Sequence, residues 1–219
     1  MKSSSEWMSI SDMMSGLMLV FLFIAMGFMI EVEKEKQAMQ DIATSYRDTK
    51  ANLNEALFSE FEDDLQRWDA KITKENTIVF SSPKLLFEVS KSDLNPEFKI
   101  ALKEFFSRYM KILTSKKYKD EIQELRVEGH TSDKWNSNSS DEEIYLNNMK
   151  LSQSRAYEVL SYCYSLEDET IKENREWLQT HFRANGMAFS KLKDKEKARR
   201  VEFTIQMKSE DKVYKLLKH

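Results

Sequence analysis

An uncharged, mostly apolar run from Met13 to Ile30 constrains how the first part of this chain can fold. A helix rises about 1.5 Å per residue, so a run of this length crosses most of a bilayer. Trp7 precedes the run at a spacing suited to an interfacial anchor. We therefore predict a short tail and a membrane-spanning helix within residues 1–30, with the charged segment from Glu31 outside the membrane.

A cleaved signal peptide is the other interpretation of residues 1–30. Such a peptide needs a basic head, a shorter apolar core and a small-residue cleavage site. Here Lys2 is offset by Glu6, the apolar run is long, and it continues directly into charged residues. We expect a retained single-pass anchor, and the short tail ahead of a large C-terminal part suggests a cytoplasmic N-terminus.

One carboxylate, that of Asp12, lies one turn inside an otherwise uncharged apolar stretch that runs to Ile30. An acidic residue near the centre of a membrane helix costs roughly 2.5–3.5 kcal/mol, and such residues face a protein partner or a water path. Asp12 is therefore a candidate carrier of a translocated ion, either H⁺ or Na⁺. The alternative is that Asp12 only caps the helix, as Ser9 and Ser11 also could.

Composition argues against several classes of function. The formal net charge is −3 with both signs interspersed, so the chain lacks the basic footprint of a nucleic-acid binder. The single cysteine, Cys163, cannot form an internal disulfide, and with three scattered histidines it offers no plausible metal set. We see no nucleotide loop, nucleophile elbow or zinc-protease helix. No catalytic residue, cofactor or metal is predicted, and an enzyme is not expected.

A long polar helix is predicted next, from about Glu31 to Lys74, because this segment contains no Gly or Pro. Its apolar residues recur mostly three or four apart, at Met39, Ile42, Tyr46, Leu53, Leu57, Phe61, Leu65, Trp68 and Ile72. This narrow stripe suits a coiled-coil seam or a stalk packed on its own domain. A solvated linker helix is the third interpretation. We place the stalk at residues 31–75 and a C-terminal domain at residues 76–219.

The C-terminal domain alternates between strand and helix patterns. Strands are predicted at Thr77–Phe80, Leu125–Gly129, Phe182–Gly186 and Arg200–Met207. Helices are predicted from Pro96, after an Asn95 cap, to about Leu113, then at Glu142–Leu166 and Thr170–Thr180. The chain is thus predicted to be α+β: a single N-terminal transmembrane helix, a helical stalk, and an α/β sandwich with helices over one sheet face.

Three segments of this domain resemble the OmpA-like peptidoglycan-binding family: Leu125–Thr131, Asn148–Ala156 and Ala198–Phe203. The resemblance implies a groove for the diaminopimelate stem peptide of peptidoglycan. The residues assigned to this groove are Thr131, Ser132, Asp133, Asn147, Asn148, Leu151 and Arg155. This sequence departs from the family at two positions. The family usually has an Asp directly after Gly-His-Thr, where this chain has Ser132, so either Asp133 substitutes by a one-residue shift or the contact is lost. Ala198 replaces the Asn of the family's Arg-Arg motif.

Arg155 also has a physical argument in its favour. A planar guanidinium binds a carboxylate with two hydrogen bonds, and a stem peptide presents carboxylates. In this interpretation Arg155 is largely solvent-facing. The alternative is a weak surface ion pair with Glu158 or Asp141. His130 is expected to make a structural hydrogen bond, and Arg199 and Arg200 are left outside the site.

An Asp-bearing membrane helix, a stalk and an OmpA-like domain together resemble the B subunits of ion-driven stators, such as flagellar MotB. The segment Trp7–Met26 is most similar to the ZorB family of Zorya anti-phage systems. The resemblance implies a homodimer inside a ring of MotA/ZorA-like A subunits, five A to two B. It also implies an inner-membrane location, a periplasmic C-terminal domain and attachment to peptidoglycan.

The choice between stator functions depends on two absent features. The chain lacks the longer basic tail of flagellar members, and no separate plug precedes the stalk at Glu31. These departures favour anti-phage defence over motility. A passive tether between membrane and cell wall, without ion transport, remains open as a different class.

Overall fold

The structure is a computed structural model and describes residues 3–82, 86–88, 91–135, 139–190 and 198–208. The first helix, α1, spans Ser3–Leu65. The chain divides into two compact units, one containing the helix up to Ser45 and the other beginning at Tyr46.

The first unit presents an exposed apolar helix. Every residue from Ile10 to Ile30 is exposed, including large side chains such as Met13, Phe23 and Met29. Among the described residues, α1 alone is long and apolar enough to cross a membrane, with a mean hydropathy of 2.4 over its best 18-residue window. Exposed apolar surface on this scale is typical of a helix whose solvent is lipid.

In the second unit, α1 ends earlier than its sequence predicts. The expected helix runs to about Lys74, whereas the observed helix stops at Leu65 and is followed by turns. Asp69 has φ of 47°, which no helical residue adopts and which Asp tolerates better than most side chains. The chain then enters strand β1, Ala70–Ile72, which pairs with the next strand.

The apolar stripe of the stalk has two different environments. Leu53, Leu57, Phe61 and Trp68 are at most 3% exposed and belong to the core of the second unit. Met39, in the first unit, is 37% exposed. The part of the stripe from Leu53 to Trp68 therefore packs on its own domain. For this part, the interpretation as a solvated linker helix is wrong.

Five strands form one sheet in the order β1-β2-β5-β3-β4. The remaining strands are β2 Ile78–Phe80, β3 Ile122–His130, β4 Phe182–Gly186 and β5 Arg200–Met207. The β3–β4 pair is parallel and the other neighbouring pairs are antiparallel. The bounds of β4 and β5 match the strands predicted at Phe182–Gly186 and Arg200–Met207. Strand β1 was not predicted, because its three residues are too few to show alternation.

Four further helices lie within the described residues of the second unit: α2 Pro96–Leu113, α3 Asp141–Tyr164, α4 Glu169–Glu173 and α5 Arg175–His181. Helix α3 begins with a capping box, in which Ser140 and Glu143 each accept a backbone N–H from the other. Asn95 holds the N-cap position of α2, but its side chain makes no capping hydrogen bond. The single helix predicted at residues 170–180 is two short helices, divided at Asn174.

The core lies between the helices and one face of the sheet. Strand β5 alternates strictly, and its buried residues include Val201 and Phe203. The ring of Phe105, on α2, has its centroid 5.0 Å from that of Phe203 and 5.3 Å from that of Phe80. These aromatic contacts close one sheet face, which confirms the predicted α+β architecture with helices over one side.

Candidate functional site

Asp12 lies in the interior of α1 and not at its start. The helix begins at Ser3, so Asp12 is about two and a half turns inside it. Ser9 and Ser11 are helical as well, and Ser15 Oγ donates to the Ser11 carbonyl oxygen at 2.9 Å. A residue in that position cannot serve as an N-cap, so the capping interpretation of Asp12 is wrong.

Two glycines bring α3 against the ends of β3 and β4. A Cβ on Gly129 would lie 2.3 Å from the Ser152 carbonyl oxygen, and one on Gly186 would lie 2.6 Å from the Gln153 amide nitrogen. Real Cβ atoms do not approach backbone this closely. The Gly of the Leu125–Thr131 motif is therefore required by the packing of α3 on the sheet.

A small hydrogen-bonded junction joins the end of β3 to α3. The Thr131 amide donates to the Ala188 carbonyl oxygen at 2.8 Å, and the Ala188 amide donates to Ser152 Oγ at 2.9 Å. This junction fixes the backbone at Thr131, directly before Ser132 and Asp133. Those two residues are half-buried and exposed, respectively, and so are accessible to a ligand.

The predicted groove residues on α3 differ in accessibility. Asn148 is 1% exposed, and its amide donates to the Ile144 carbonyl oxygen at 2.9 Å within the helix. Thr131, at the end of β3, is 2% exposed. Asn147 and Leu151 are half-buried. The structure thus leaves Asn147 and Leu151 accessible and directs the Asn148 amide to its own helix.

Arg155 is buried, contrary to the expectation that it faces solvent. It is 4% exposed, and its Nε donates to the Lys91 carbonyl oxygen at 2.9 Å. Its Nη2 donates to the Glu88 carbonyl oxygen at 3.4 Å, and the guanidinium carbon lies 4.7 Å from the centre of the Phe87 ring. Among the described residues no carboxylate pairs with Arg155, so the alternative of a surface ion pair with Glu158 or Asp141 is wrong.

Two further arginines lie beside Arg155. Arg155, Arg199, Arg200, Leu86 and Phe87 line a narrow cleft, here called the arginine cleft. Burial lowers the pKa of Arg155 to about 10, and the positive charge of Arg199 acts in the same direction. Arg155 therefore remains protonated at neutral pH.

The arginine cleft is suited to an anion. A buried cation beside a second cation gains most from a carboxylate that can accept hydrogen bonds from both. The cleft volume is about 10 Å³, the room that one water molecule needs, so a larger ligand requires side chains to move. Sequence reasoning left Arg199 and Arg200 outside the site, although the adjacent pair lies within the Ala198–Phe203 motif.

His130 does not behave as expected. It is 1% exposed at the end of β3, and neither ring nitrogen has a hydrogen-bond partner among the described residues. The prediction of a structural hydrogen bond is therefore wrong. Its Nε2 lies instead 3.7 Å from a carboxylate oxygen of Glu128 and 3.7 Å from one of Glu202.

Comparisons with known proteins give one extended sequence similarity. No protein-family model matches the chain. The chain is 36% identical over 224 residues to the Zorya protein ZorB of Escherichia coli, and the alignment covers 99% of this chain and 94% of that protein.

Solved structures show weaker similarity. The cell wall anchor of the type VI secretion system from Pseudomonas aeruginosa aligns with a TM-score of 0.47 and 18% identity, covering 69% of this chain and 97% of that one. The periplasmic domain of Helicobacter pylori MotB aligns with a TM-score of 0.41 and 18% identity, covering 68% of this chain and 96% of that one.

Proposed function

The chain belongs to the ZorB family of Zorya proteins, and from that premise we propose that it is the B subunit of an ion-driven, stator-like motor used in anti-phage defence. In this proposal α1 spans the bacterial inner membrane once, with its N-terminus in the cytoplasm. The C-terminal domain lies in the periplasm and holds peptidoglycan. The subunit performs no enzymatic chemistry of its own. Its role in the proposal is to carry an ion across the membrane and to stay attached to the cell wall.

The position of Asp12 is the observation that carries the ion-transport proposal. A carboxylate in the interior of an exposed apolar helix is expensive in lipid unless it serves a partner or a water path. Because the helix starts at Ser3, the residue is not needed as a cap. An ion that binds and leaves this carboxylate would change the charge at the A–B interface, and such a change can drive relative motion of the subunits.

The arginine cleft supports the cell-wall part of the proposal. A buried, protonated Arg155 with only backbone carbonyls and a ring face as partners among the described residues lacks a neutralising anion. The stem peptide of peptidoglycan supplies carboxylates, and bidentate contact with guanidinium would fix their orientation. Asp133, Asn147 and Leu151 are accessible residues that could contact the rest of the peptide.

We propose a homodimer inside a ring of A subunits, five A to two B, as the assembly. In the upper part of the apolar stripe, Met39 is exposed and Ile42 is half-buried. Self-association of two α1 helices would cover these residues. It would also bring two Asp12 carboxylates close to one axis, where they could bind ions alternately.

Cysteine cross-linking tests the dimer. In a Cys163→Ser background, Met39→Cys should form a disulfide-linked dimer in membranes, because residue 39 lies on the proposed seam. Thr44→Cys is the matched control, since Thr44 is exposed and lies on nearly the opposite side of the same helix. Equal cross-linking at both positions, or none at position 39, would contradict the proposed seam.

Deletion of the gene tests the biological role. In its bacterial host, loss of the protein should raise the plating efficiency of a restricted phage and leave swimming in soft agar unchanged. Lost swimming with unchanged phage plating would assign the chain to a flagellar MotB-type stator. Protection that persists when the proton and sodium gradients are both collapsed would favour a passive membrane-to-wall tether.

A further inference from the structure

Pairing of β3 with β5 brings together three ligand-type side chains that are distant in sequence. Glu128 and Glu202 are directly opposite each other in the antiparallel register, and His130 follows Glu128 by two residues. All three share one side of the sheet, because residues two apart in a strand point the same way. This is the side opposite Val127, Val201 and Phe203, which face the helix-covered core.

Glu128, His130 and Glu202, here called the histidine cluster, have their ligand atoms close together. Nε2 of His130 lies 3.7 Å from Oε2 of Glu128 and 3.7 Å from Oε2 of Glu202. One ligand atom from each of the three residues lies within 4.8 Å of the other two. His130 is 1% exposed, and its ring nitrogens have no hydrogen-bond partner among the described residues. A buried imidazole aimed at two carboxylates, without hydrogen bonds of its own, indicates that a ligand is missing between them.

Two arginines orient the carboxylates from outside. Oε1 of Glu202 accepts a hydrogen bond from Arg200 Nε at 2.5 Å, and Nη1 of Arg126 is 3.9 Å from Oε1 of Glu128. The outer oxygens thus face the guanidinium groups and the inner oxygens face His130. A hydrogen-bonded outer partner such as Arg200 commonly holds a metal-ligating carboxylate in place, whereas Arg126 forms only a long ion pair with Glu128.

We propose that Glu128, His130 and Glu202 bind a divalent cation of the borderline class, for which Zn²⁺ is the best-fitting probe. One imidazole nitrogen and two carboxylate oxygens are ordinary zinc ligands. Zinc bonds of about 2.0–2.2 Å require ligand atoms roughly 3.3–3.6 Å apart in a tetrahedron. The two separations of 3.7 Å from Nε2 of His130 to the glutamate oxygens are close to these values. The side chain of Glu202 is 15% exposed, which leaves room for a water molecule as the fourth ligand.

The bound ion would tie the end of β3 to β5. Strand β5 carries Arg200, which lines the arginine cleft, so the ion would hold one wall of that cleft. The charges of Arg126 and Arg200 partly offset the two carboxylates, and the affinity should therefore be lower than that of a site without cations. This assignment is independent of the proposed motor function, because it depends only on the cluster.

Metal titration of the full chain in detergent tests the assignment. After chelator treatment, the wild-type protein should bind one equivalent of Zn²⁺ by dialysis and elemental analysis, and its thermal midpoint should rise. His130→Gln and Glu202→Gln should each weaken binding by at least about tenfold. His181→Gln is the matched control that should bind normally, since His181 lies on α5, outside the cluster.

X-ray absorption keeps the test decisive even if a cluster variant fails to fold. The zinc-loaded wild type should show one imidazole nitrogen and oxygen ligands at about 2.0–2.2 Å. Absence of stoichiometric binding, a spectrum with two or more imidazoles, or full binding by a folded His130→Gln variant would overturn the assignment.

Discussion

Asp12→Asn is expected to abolish the activity of the protein while leaving its membrane insertion and assembly intact. The amide has nearly the same shape as the carboxylate, so helix packing should be preserved. It cannot gain and lose a proton in the physiological range, nor supply the negative charge that a metal cation needs. In a phage-plating assay with the A partner present, the variant should therefore behave like the deletion.

Two further variants separate ion carriage from a structural role. Asp12→Glu retains a carboxylate and should keep part of the protection, although its longer side chain displaces the charge. Ser15→Ala removes the nearby hydrogen bond to the Ser11 carbonyl oxygen but leaves Asp12 unchanged, and should be fully active. Full protection by Asp12→Asn at normal membrane levels would leave only the passive tether.

Arg155→Ala should give the largest loss of peptidoglycan binding. Losing a charged hydrogen-bond pair costs roughly 1.5–3 kcal/mol, which corresponds to about 10- to 150-fold in Kd. The measurement is sedimentation of the full chain in detergent with purified diaminopimelate-type peptidoglycan. Arg155→Lys keeps the charge but loses the planar fork, so its binding should lie between those of the wild type and the Ala variant.

The same substitution should also lower the free energy of unfolding, because Arg155 is 4% exposed and donates to two carbonyl oxygens. Leaving those acceptors unsatisfied costs about 1–3 kcal/mol. Arg108→Ala is the matched control, since Arg108 links α2 to Glu60 and Asp64 of α1. Arg108→Ala should lower stability and leave wall binding unchanged. Equal binding by folded Arg155→Ala and wild type would remove Arg155 from the site.

The spacing of apolar residues and the capping residues were sufficient to predict the helices and strands that show them clearly. Strict alternation identified β5, and the capping residues and apolar spacing placed α2 and α3 to within a few residues. The end of α1 could not be found this way. Residues 66–74 contain no helix breaker, and the helix ends there because Trp68 is buried in the core and β1 pairs with β2.

For the sites, the amino-acid sequence alone determined the side-chain chemistry: a carboxylate in an apolar stretch, an arginine in the second OmpA-like segment, and a histidine after Gly129. Only the tertiary structure decided their surroundings. Arg155 meets the carbonyl groups of Glu88 and Lys91, and His130 meets Glu202, across separations that no local pattern spans. Burial and charge environment come from these distant contacts, because they depend on which strands and helices pack together and not on the neighbours in the chain.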